Sequence, residues 1–240
     1  MPGIARSGMA NTNAASFLST AALTEHTMPI TRIIVADAQK LVAQGLKEHF
    51  SKLEHLRIVG HARSGKALLT MLKTVEADLV LMDVSMHEMD GIDTTRVLRK
   101  KYPDLQVLAH SALTEIEYVN SMLIEGARGY LVKECIPTEM IAAIELVTNG
   151  GRYISPAARA SIAKGYAHTD KRFDGVYQGL TDREREIIRL IALEKTNDEI
   201  SAALFLSTDT VKTHRKNLMA KLNVRGTAGL VKYAIDRCWV

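Results

Sequence analysis

The chain has 240 residues, of which 47% are hydrophobic and 24% are charged, and its formal net charge is +4. This length exceeds one small domain and predicts two compact units. No apolar run reaches the roughly 18 residues that a membrane span requires, and the first segment lacks a signal-peptide core. Cys135 and Cys238 stand far apart with no metal-ligand spacing around them. These features favour a cytoplasmic protein with no membrane partner and exclude a disulfide-rich one.

The first segment, residues 1–28, is rich in alanine, serine, threonine and asparagine and shows no sustained periodicity. Such a segment buries too little apolar surface to fold, so we expect disorder. Met28 stands just before the first predicted strand. We therefore hypothesise that residues 1–27 come from an upstream start assignment and do not belong to the working protein.

In residues 29–150, short apolar runs alternate with amphipathic stretches. Continuously apolar strands that alternate with helices imply a parallel sheet covered on both faces. The predicted fold is therefore an α/β domain with a five-stranded, doubly wound parallel sheet. Its predicted strands are Ile33–Ala36, Leu56–Val59, Leu79–Met82, Val107–Ala109 and Tyr130–Val132.

Polar side chains that could bind ligands or take part in a reaction follow four of these strands. Asp37 follows the first, Asp83 the third, His110 and Ser111 the fourth, and Lys133 the fifth. In an open parallel sheet, ligands bind at the carboxyl ends of the strands. A carboxylate nucleophile, a second carboxylate for a hard cation, a hydroxyl and an ammonium suit an acyl-phosphate site. Any one of these residues alone is better explained as a turn residue, a helix cap or a side chain at a solvent-exposed strand end. The prediction therefore depends on all of them occurring together.

The segments around these residues resemble the receiver domain of bacterial two-component response regulators, which has a flavodoxin-like fold. They are IIVADAQKLVAQG from Ile33, VLMDVSMHEMDG from Val80 and GARGYLVKE from Gly126. The resemblance implies that Asp83 is the phosphoacceptor and that Lys133 and Ser111 assist the reaction. It also implies that Ser111 and Tyr130 form the switch, that Asp37 and Asp83 bind Mg²⁺, and that a histidine kinase is the partner.

One departure from the family pattern concerns the metal. The family usually has two adjacent acidic residues after the first strand, whereas Asp37 is followed here by Ala38. Because hard-cation affinity depends on the number of carboxylate oxygens, we expect weak Mg²⁺ binding. The alternative is a receiver that takes no phosphoryl group and serves as a dimerisation or partner-binding module. His87 and His110 also depart from the pattern, and we interpret both as surface or packing residues.

Residues 151–179 are predicted to be a linker with a short helix after Pro156. In residues 180–240, Thr181 and Glu184 form a capping-box pattern that begins a helix, and Asn197 is the predicted cap of a second helix. A third helix is predicted from about Thr208 to Leu222, and no acidic residue occurs from Val211 to Arg225. Two helices with a short turn and a basic second helix suit insertion into the DNA major groove. The alternative is an amphipathic helix with a solvated basic face.

Residues 180–240 resemble the four-helix, LuxR-type helix-turn-helix domain of the NarL/FixJ subfamily. The resemblance rests on TDREREII, NDEISAALFLS, TVKTHRKNLMAKLNV and LVKYAI. It implies a homodimer bound to double-stranded DNA. By the same resemblance, Lys212, Thr213 and Lys216 face bases; Thr210, His214, Arg215 and Lys221 hold phosphates; and Leu230, Val231 and Ala234 dimerise.

Together these features predict a DNA-binding transcriptional response regulator that is not an enzyme beyond self-phosphorylation and autodephosphorylation. A flavodoxin-like enzyme with an accessory DNA domain finds little support, because the sequence has no nucleotide loop, catalytic triad or metal cluster. We further hypothesise that the recognition helix is masked against the receiver before activation.

Overall fold

The computed structural model describes residues 29–164 and 180–240. No helix in these two ranges combines the length and the hydropathy of a membrane span. The predicted disorder of residues 1–28 falls outside them. The strands are β1 (Thr31–Ala36), β2 (Leu56–Ala62), β3 (Leu79–Met82), β4 (Gln106–Ser111), β5 (Gly129–Val132) and β6 (Tyr153–Ile154). The helices are α1 (Lys40–Phe50), α2 (Gly65–Met71), α3 (Gly91–Lys101), α4 (Ile116–Glu125), α5 (Pro137–Thr148), α6 (Pro156–Lys164), α7 (Asp182–Ala192), α8 (Asn197–Leu204), α9 (Thr208–Lys221) and α10 (Thr227–Asp236).

The strands form one parallel sheet in the order β2-β1-β3-β4-β5-β6. Successive side chains of a strand point to opposite faces. Accordingly, Ile34 and Val80 pack in one apolar core, whereas Ile33 and Leu79 pack in the other. Helices α2, α3 and α4 cover the first face, and α1 and α5 cover the second. Burial on both faces explains why these strands are apolar throughout. The predicted doubly wound α/β fold is confirmed.

The sheet has a sixth strand that the sequence did not predict. Strand β6 pairs with β5 through Gly129↔Tyr153 and Tyr130↔Ile154. Helix α6 packs against α4, and it is the short helix predicted after Pro156. The predicted linker, residues 151–179, therefore begins as part of the sheet domain, because its first residues extend the parallel ladder. Its remainder, residues 165–179, falls outside the described residues.

Residues 180–240 fold into four helices around a small apolar core, which includes Ile188, Val211, Leu218 and Leu230. The predicted capping box at Thr181 begins α7. The predicted cap of α8 is wrong, since Thr196 caps it: the Thr196 hydroxyl accepts from the Glu199 amide, and the Glu199 carboxylate accepts from the Thr196 amide. Asn197 is the first residue inside the helix.

The turn between α8 and α9 depends on two residues. Phe205 ends α8 with φ of 54°, in the left-handed region. The Ser207 hydroxyl then accepts a hydrogen bond from the Thr210 amide and caps α9. The chain thus turns over Phe205–Ser207, and α9 packs against α7 and α8.

Candidate phosphoacceptor site and nucleic-acid interface

Four of the predicted site residues meet at one edge of the sheet. Asp37, Asp83 and Lys133 directly follow β1, β3 and β5, and Ser111 is the last residue of β4. These strands are neighbours in the sheet. The Lys133 ammonium lies 2.8 Å from a carboxylate oxygen of Asp83 and 2.8 Å from one of Asp37. The fold therefore brings two carboxylates, a hydroxyl and a cation to one place.

The electrostatics of this site are set by burial and by one cation. Burial raises the pKa of Asp83 above its ordinary value, although the Lys133 ammonium opposes the shift. Burial alone would lower the pKa of Lys133, but the carboxylates of Asp83 and Asp37 outweigh it and raise that pKa. Lys133 is thus a stable cation that neutralises part of the charge of two buried carboxylates. A carboxylate held beside a fixed cation can act as a nucleophile towards an electrophile that brings further negative charge.

The two predicted switch residues are buried and converge on the same backbone segment. Tyr130 lies in β5, and its hydroxyl donates to the Leu113 carbonyl oxygen at 2.5 Å. The Ser111 hydroxyl accepts from the Leu113 amide at 3.3 Å. Burial raises the pKa of Tyr130 far above its ordinary value, so the phenol stays a hydrogen-bond donor. The side chains of Ser111 and Tyr130 thus each form one hydrogen bond to the backbone of Leu113.

The donors present fit a weakly held Mg²⁺. Asp37 and Asp83 supply the carboxylates, and one oxygen of Asp37 is already used as acceptor by the Gln39 amide at 2.7 Å. Ala38 contributes only a methyl group. No cluster of three or more His, Cys, Asp or Glu side chains in residues 29–164 and 180–240 has metal-binding geometry. Mg²⁺ at phosphoryl sites commonly takes one or two carboxylates together with waters and phosphate oxygens, so two are sufficient.

The two histidines near this edge differ in environment. His87 is exposed in the loop after β3. His110 is buried, and burial together with the Lys133 cation lowers its pKa to about 4. His110 is therefore neutral at physiological pH, as expected of a residue in ordinary packing.

The basic face of α9 is open to solvent. Lys212, Thr213 and Lys216, which the resemblance assigns to base contacts, are all exposed, and Thr210, His214 and Arg215 beside them are half-buried. The hypothesis that the receiver masks this helix is therefore wrong for this conformation, since the side chains that are predicted to face bases are exposed to solvent. The Arg215 guanidinium donates to Asn197 at 3.0 Å and to Thr227 at 2.8 Å, which ties α9 to α8 and α10.

Lys221 does not fit its predicted role as a phosphate contact. It is only 9% exposed, and its ammonium lies 2.8 Å from the Glu184 carboxylate. Burial alone would raise the pKa of Glu184, but hydrogen bonds from Lys221 and from the Thr181 amide outweigh it and lower that pKa. The same carboxylate closes the capping box of α7. Lys221 is thus an internal link between α9 and α7, because its position follows the inward stripe of the helix.

The residues predicted to dimerise lie mostly inside the helical unit. Leu230 and Ala234 are fully buried and Val231 is half-buried. Helix α10 packs against α7 and α9 with this face. Dimerisation through these side chains stays a prediction, and in this conformation only Val231 is partly accessible to another molecule.

The structure also shows a polar contact between the sheet domain and the helical unit that sequence reasoning missed. Arg237 and Trp239, which follow α10, both bond to Asp90 at the start of α3. Asp236 accepts a hydrogen bond from Tyr118 of α4. The partners stand 118 to 149 residues apart. No periodicity or motif spacing links them, so the sequence carries no local signal for this contact.

Two family matches agree with this architecture. Residues 33–145 match the family described as "Response regulator receiver domain". Residues 178–234 match "Bacterial regulatory proteins, luxR family". The first match covers strands β1 to β5 from Ile33 onwards, with the candidate phosphoacceptor site, and the second covers most of the helical unit, including α9.

Similar proteins match nearly the whole chain. The transcriptional regulatory protein MctR of Rhizobium johnstonii is 34% identical over 87% of this chain and 94% of its own. The uncharacterized transcriptional regulatory protein YhcZ of Bacillus subtilis is 34% identical over 85% of this chain and 95% of its own. The fold is shared with a structure of RcsB from Salmonella enterica serovar Typhimurium bound to promoter P1flhDC in the presence of phosphomimetic BeF3-. The TM-score is 0.63 at 23% identity, and the match covers 86% of this chain and 98% of that one. The chain therefore belongs to the DNA-binding transcriptional response regulators of the NarL/FixJ type, which join a receiver domain to a LuxR-type helix-turn-helix domain, and not to a family of enzymes.

Proposed function

We propose that a histidine kinase phosphorylates this regulator on Asp83 in the cytoplasm and that the phosphoryl group controls dimerisation and promoter binding. The observation that carries the proposal is the meeting of Asp83, Lys133, Asp37 and Ser111, with the Lys133 ammonium 2.8 Å from both carboxylates. These are the groups that an acyl-phosphate site uses, except for the second acidic residue, whose place Ala38 takes.

In the proposed reaction, a carboxylate oxygen of Asp83 attacks the phosphorus of a phosphohistidine. The new P–O bond forms as the P–N bond breaks, and the electron pair of that bond stays on the imidazole nitrogen. Lys133 offsets the charge that the phosphoryl group brings. Asp37 and Asp83 would hold Mg²⁺, which supplies positive charge to the phosphoryl oxygens. With Ala38 in the acidic pair, this metal is held weakly.

The signal leaves the site through Ser111. When its hydroxyl turns to donate a hydrogen bond to a phosphoryl oxygen, it releases the Leu113 amide that it now accepts from. Tyr130 bonds the carbonyl of the same residue. The segment between β4 and α4 therefore has two anchors that depend on the phosphorylation state, and a new charge at Asp83 shifts that segment.

The output is binding to double-stranded DNA by a homodimer. Lys212, Thr213 and Lys216 on the exposed face of α9 contact bases, and the flanking half-buried side chains contact phosphates. Two copies related by a twofold axis bind two half-sites on one face of the DNA.

A second candidate function follows from Ala38. In this alternative the receiver takes no phosphoryl group, and it acts as a constitutive dimerisation or partner-binding module. The observation that favours it is the loss of one of the carboxylates that usually bind the metal.

Intact-mass analysis after incubation with acetyl phosphate across a Mg²⁺ titration separates the two. We expect a phosphoryl adduct on the parent protein and none on Asp83→Asn, with Ala38→Asp reaching half-modification at a lower Mg²⁺ concentration. An adduct that forms on Ala38→Asp but at no Mg²⁺ concentration on the parent would favour the phosphorylation-independent regulator.

A further inference from the structure

A cationic groove lies at the edge of the sheet opposite to the candidate phosphoacceptor site. Three arginines line it: Arg99 in the last turn of α3, Arg128 just before β5 and Arg152 just before β6. Its volume is about 480 Å³, and a volume of roughly 300–1,000 Å³ is usual for a small-molecule site. Among the described residues that line the groove, none is acidic. We call this feature the arginine groove.

The pairing of β5 with β6 places two of these arginines side by side. Tyr130 pairs in parallel with Ile154, two residues after Arg128 and Arg152. The Arg128 carbonyl oxygen accepts from the Tyr153 amide at 3.3 Å, so the same register extends back to both arginines. Because alternate side chains of a strand share a face, both point to the face of Tyr130 and Ile154, where the core under α4 lies. Like charges at matched positions of paired strands repel each other, so this pair favours an anion beside it.

Arg99 reaches the groove from the helical side and is held in place. Gly126 has φ of 121°, and a Cβ there would lie 3.0 Å from the Cδ of Arg99. The lack of a side chain at Gly126 therefore leaves room for the stem of Arg99. The Arg99 guanidinium donates to the Ile124 carbonyl oxygen at 3.0 Å, which fixes the group over the end of α4. A guanidinium that is already positioned loses little conformational freedom when it binds an anion.

The positive charge of the groove is not neutralised within the part of the chain that the structure describes. In residues 29–164 and 180–240, no carboxylate forms an ion pair with Arg99, Arg128 or Arg152. By contrast, Arg32 of β1, at the same edge of the sheet, pairs with Asp78 at 2.8 Å. Three cations around a concave surface add their fields and attract an anion from solution.

We propose that the arginine groove binds a small phosphorylated molecule of the size of a nucleoside diphosphate. Guanidinium groups match the oxygens of phosphate groups in pairs, so three of them suit a diphosphate better than a single carboxylate. Leu105 and Leu123 also line the groove and offer an apolar surface to the part of the molecule that carries the phosphates. Because the surface is concave, a small molecule fits it better than a DNA duplex does. The site is separate from Asp83 and does not depend on the proposed phosphorylation.

Isothermal titration calorimetry of the full-length protein with ADP, and separately with inorganic pyrophosphate, tests this site. The titrations contain EDTA, so that no Mg²⁺ supports binding at Asp83. Arg128→Gln and Arg152→Gln each remove one cation at an exposed position and should leave folding intact. Arg57→Gln, at an exposed arginine of β2, is the matched control. Lys216→Gln, on the exposed face of α9, detects binding to that helix instead.

We expect ADP to bind at a single site. Its dissociation constant should rise about tenfold in Arg128→Gln and in Arg152→Gln, as the loss of one charge-assisted hydrogen bond predicts. Arg57→Gln and Lys216→Gln should bind ADP as the parent does. Pyrophosphate should show the same dependence on Arg128 and Arg152, since the two probes share the diphosphate.

Other results overturn the proposal. If neither probe binds saturably up to about 1 mM, the groove is not a diphosphate site. Equal dissociation constants in the parent, Arg128→Gln and Arg152→Gln place the binding elsewhere, and a loss confined to Lys216→Gln places it on α9. If Arg128→Gln and Arg152→Gln lose affinity for duplex DNA while the parent binds no ADP, the arginines contact the DNA backbone and not a small molecule.

Discussion

Lys221→Met tests a residue for which the sequence pattern and the structure give opposite expectations. As a phosphate contact, Lys221 would contribute to the salt dependence of DNA binding and little to stability. As an internal partner of Glu184, 2.8 Å away, it contributes to stability and not to salt dependence. Methionine keeps most of the apolar stem of lysine, so the substitution removes the charge with little change in packing.

The size of the effect follows from what Glu184 loses. Removing one partner of a fully buried ion pair costs about 3–5 kcal/mol. Glu184 retains the hydrogen bond from the Thr181 amide, and its side chain is 15% exposed, so water relieves part of that cost. We therefore expect the free energy of unfolding of the helical unit to fall by about 2 kcal/mol, which is about 30-fold in the unfolding equilibrium.

Amide hydrogen exchange of the full-length protein measures this effect directly. The most protected amides of α7 and α9 should lose about 30-fold in protection in Lys221→Met, whereas Lys216→Met, at an exposed position of α9, should change protection little. The slope of log K against log salt for DNA binding should be the same in Lys221→Met as in the parent. A slope that falls by about 0.9 in Lys221→Met, with protection unchanged, would refute the internal role and restore the phosphate contact.

Three further predictions follow from local geometry. A Cβ on Gly91 would lie 2.0 Å from the Asp83 carbonyl oxygen, so Gly91→Ala should slow phosphoryl incorporation by about 100-fold. Gly45→Ala is the control, because a Cβ on Gly45 would meet open space. Equal rates of phosphoryl incorporation in Gly91→Ala and the parent would contradict the argument. Phe205 is 95% exposed with φ of 54°, so Phe205→Gly should raise the free energy of unfolding by about 1 kcal/mol in thermal melts, and a decrease would mean that the ring makes a stabilising contact. The lowered pKa of Glu184 predicts stability that is present above the pKa of an unfolded glutamate and is lost as the pH falls through the lower folded value. The loss of stability at acid pH should be smaller in Lys221→Met than in the parent, as measured by unfolding at a series of pH values.

The meeting of the four candidate site residues could be predicted because the fold repeats one simple geometry. Each strand–helix unit ends its strand at the same edge of the sheet, so Asp37, Asp83, Ser111 and Lys133 had to meet once the parallel sheet was established. Strand β6 was not predicted because it is too short. It has two residues, Tyr153–Ile154, and two apolar residues cannot show whether a segment is a strand or a turn.

In α9 the sequence contained a pattern that predicts the buried position of Lys221, but the basic composition of the helix was given more weight. Leu218 and Leu222 lie on the inward stripe of the helix, and Lys221 stands between them at helical spacing. That spacing favours an inward position, whereas the basic composition of the helix favoured DNA. The Arg237–Asp90 contact is different, because no spacing joins residues 147 apart in sequence. It forms because one buried cation, Arg237, fits against Asp90 when the two domains dock, and only the docked structure brings these residues together.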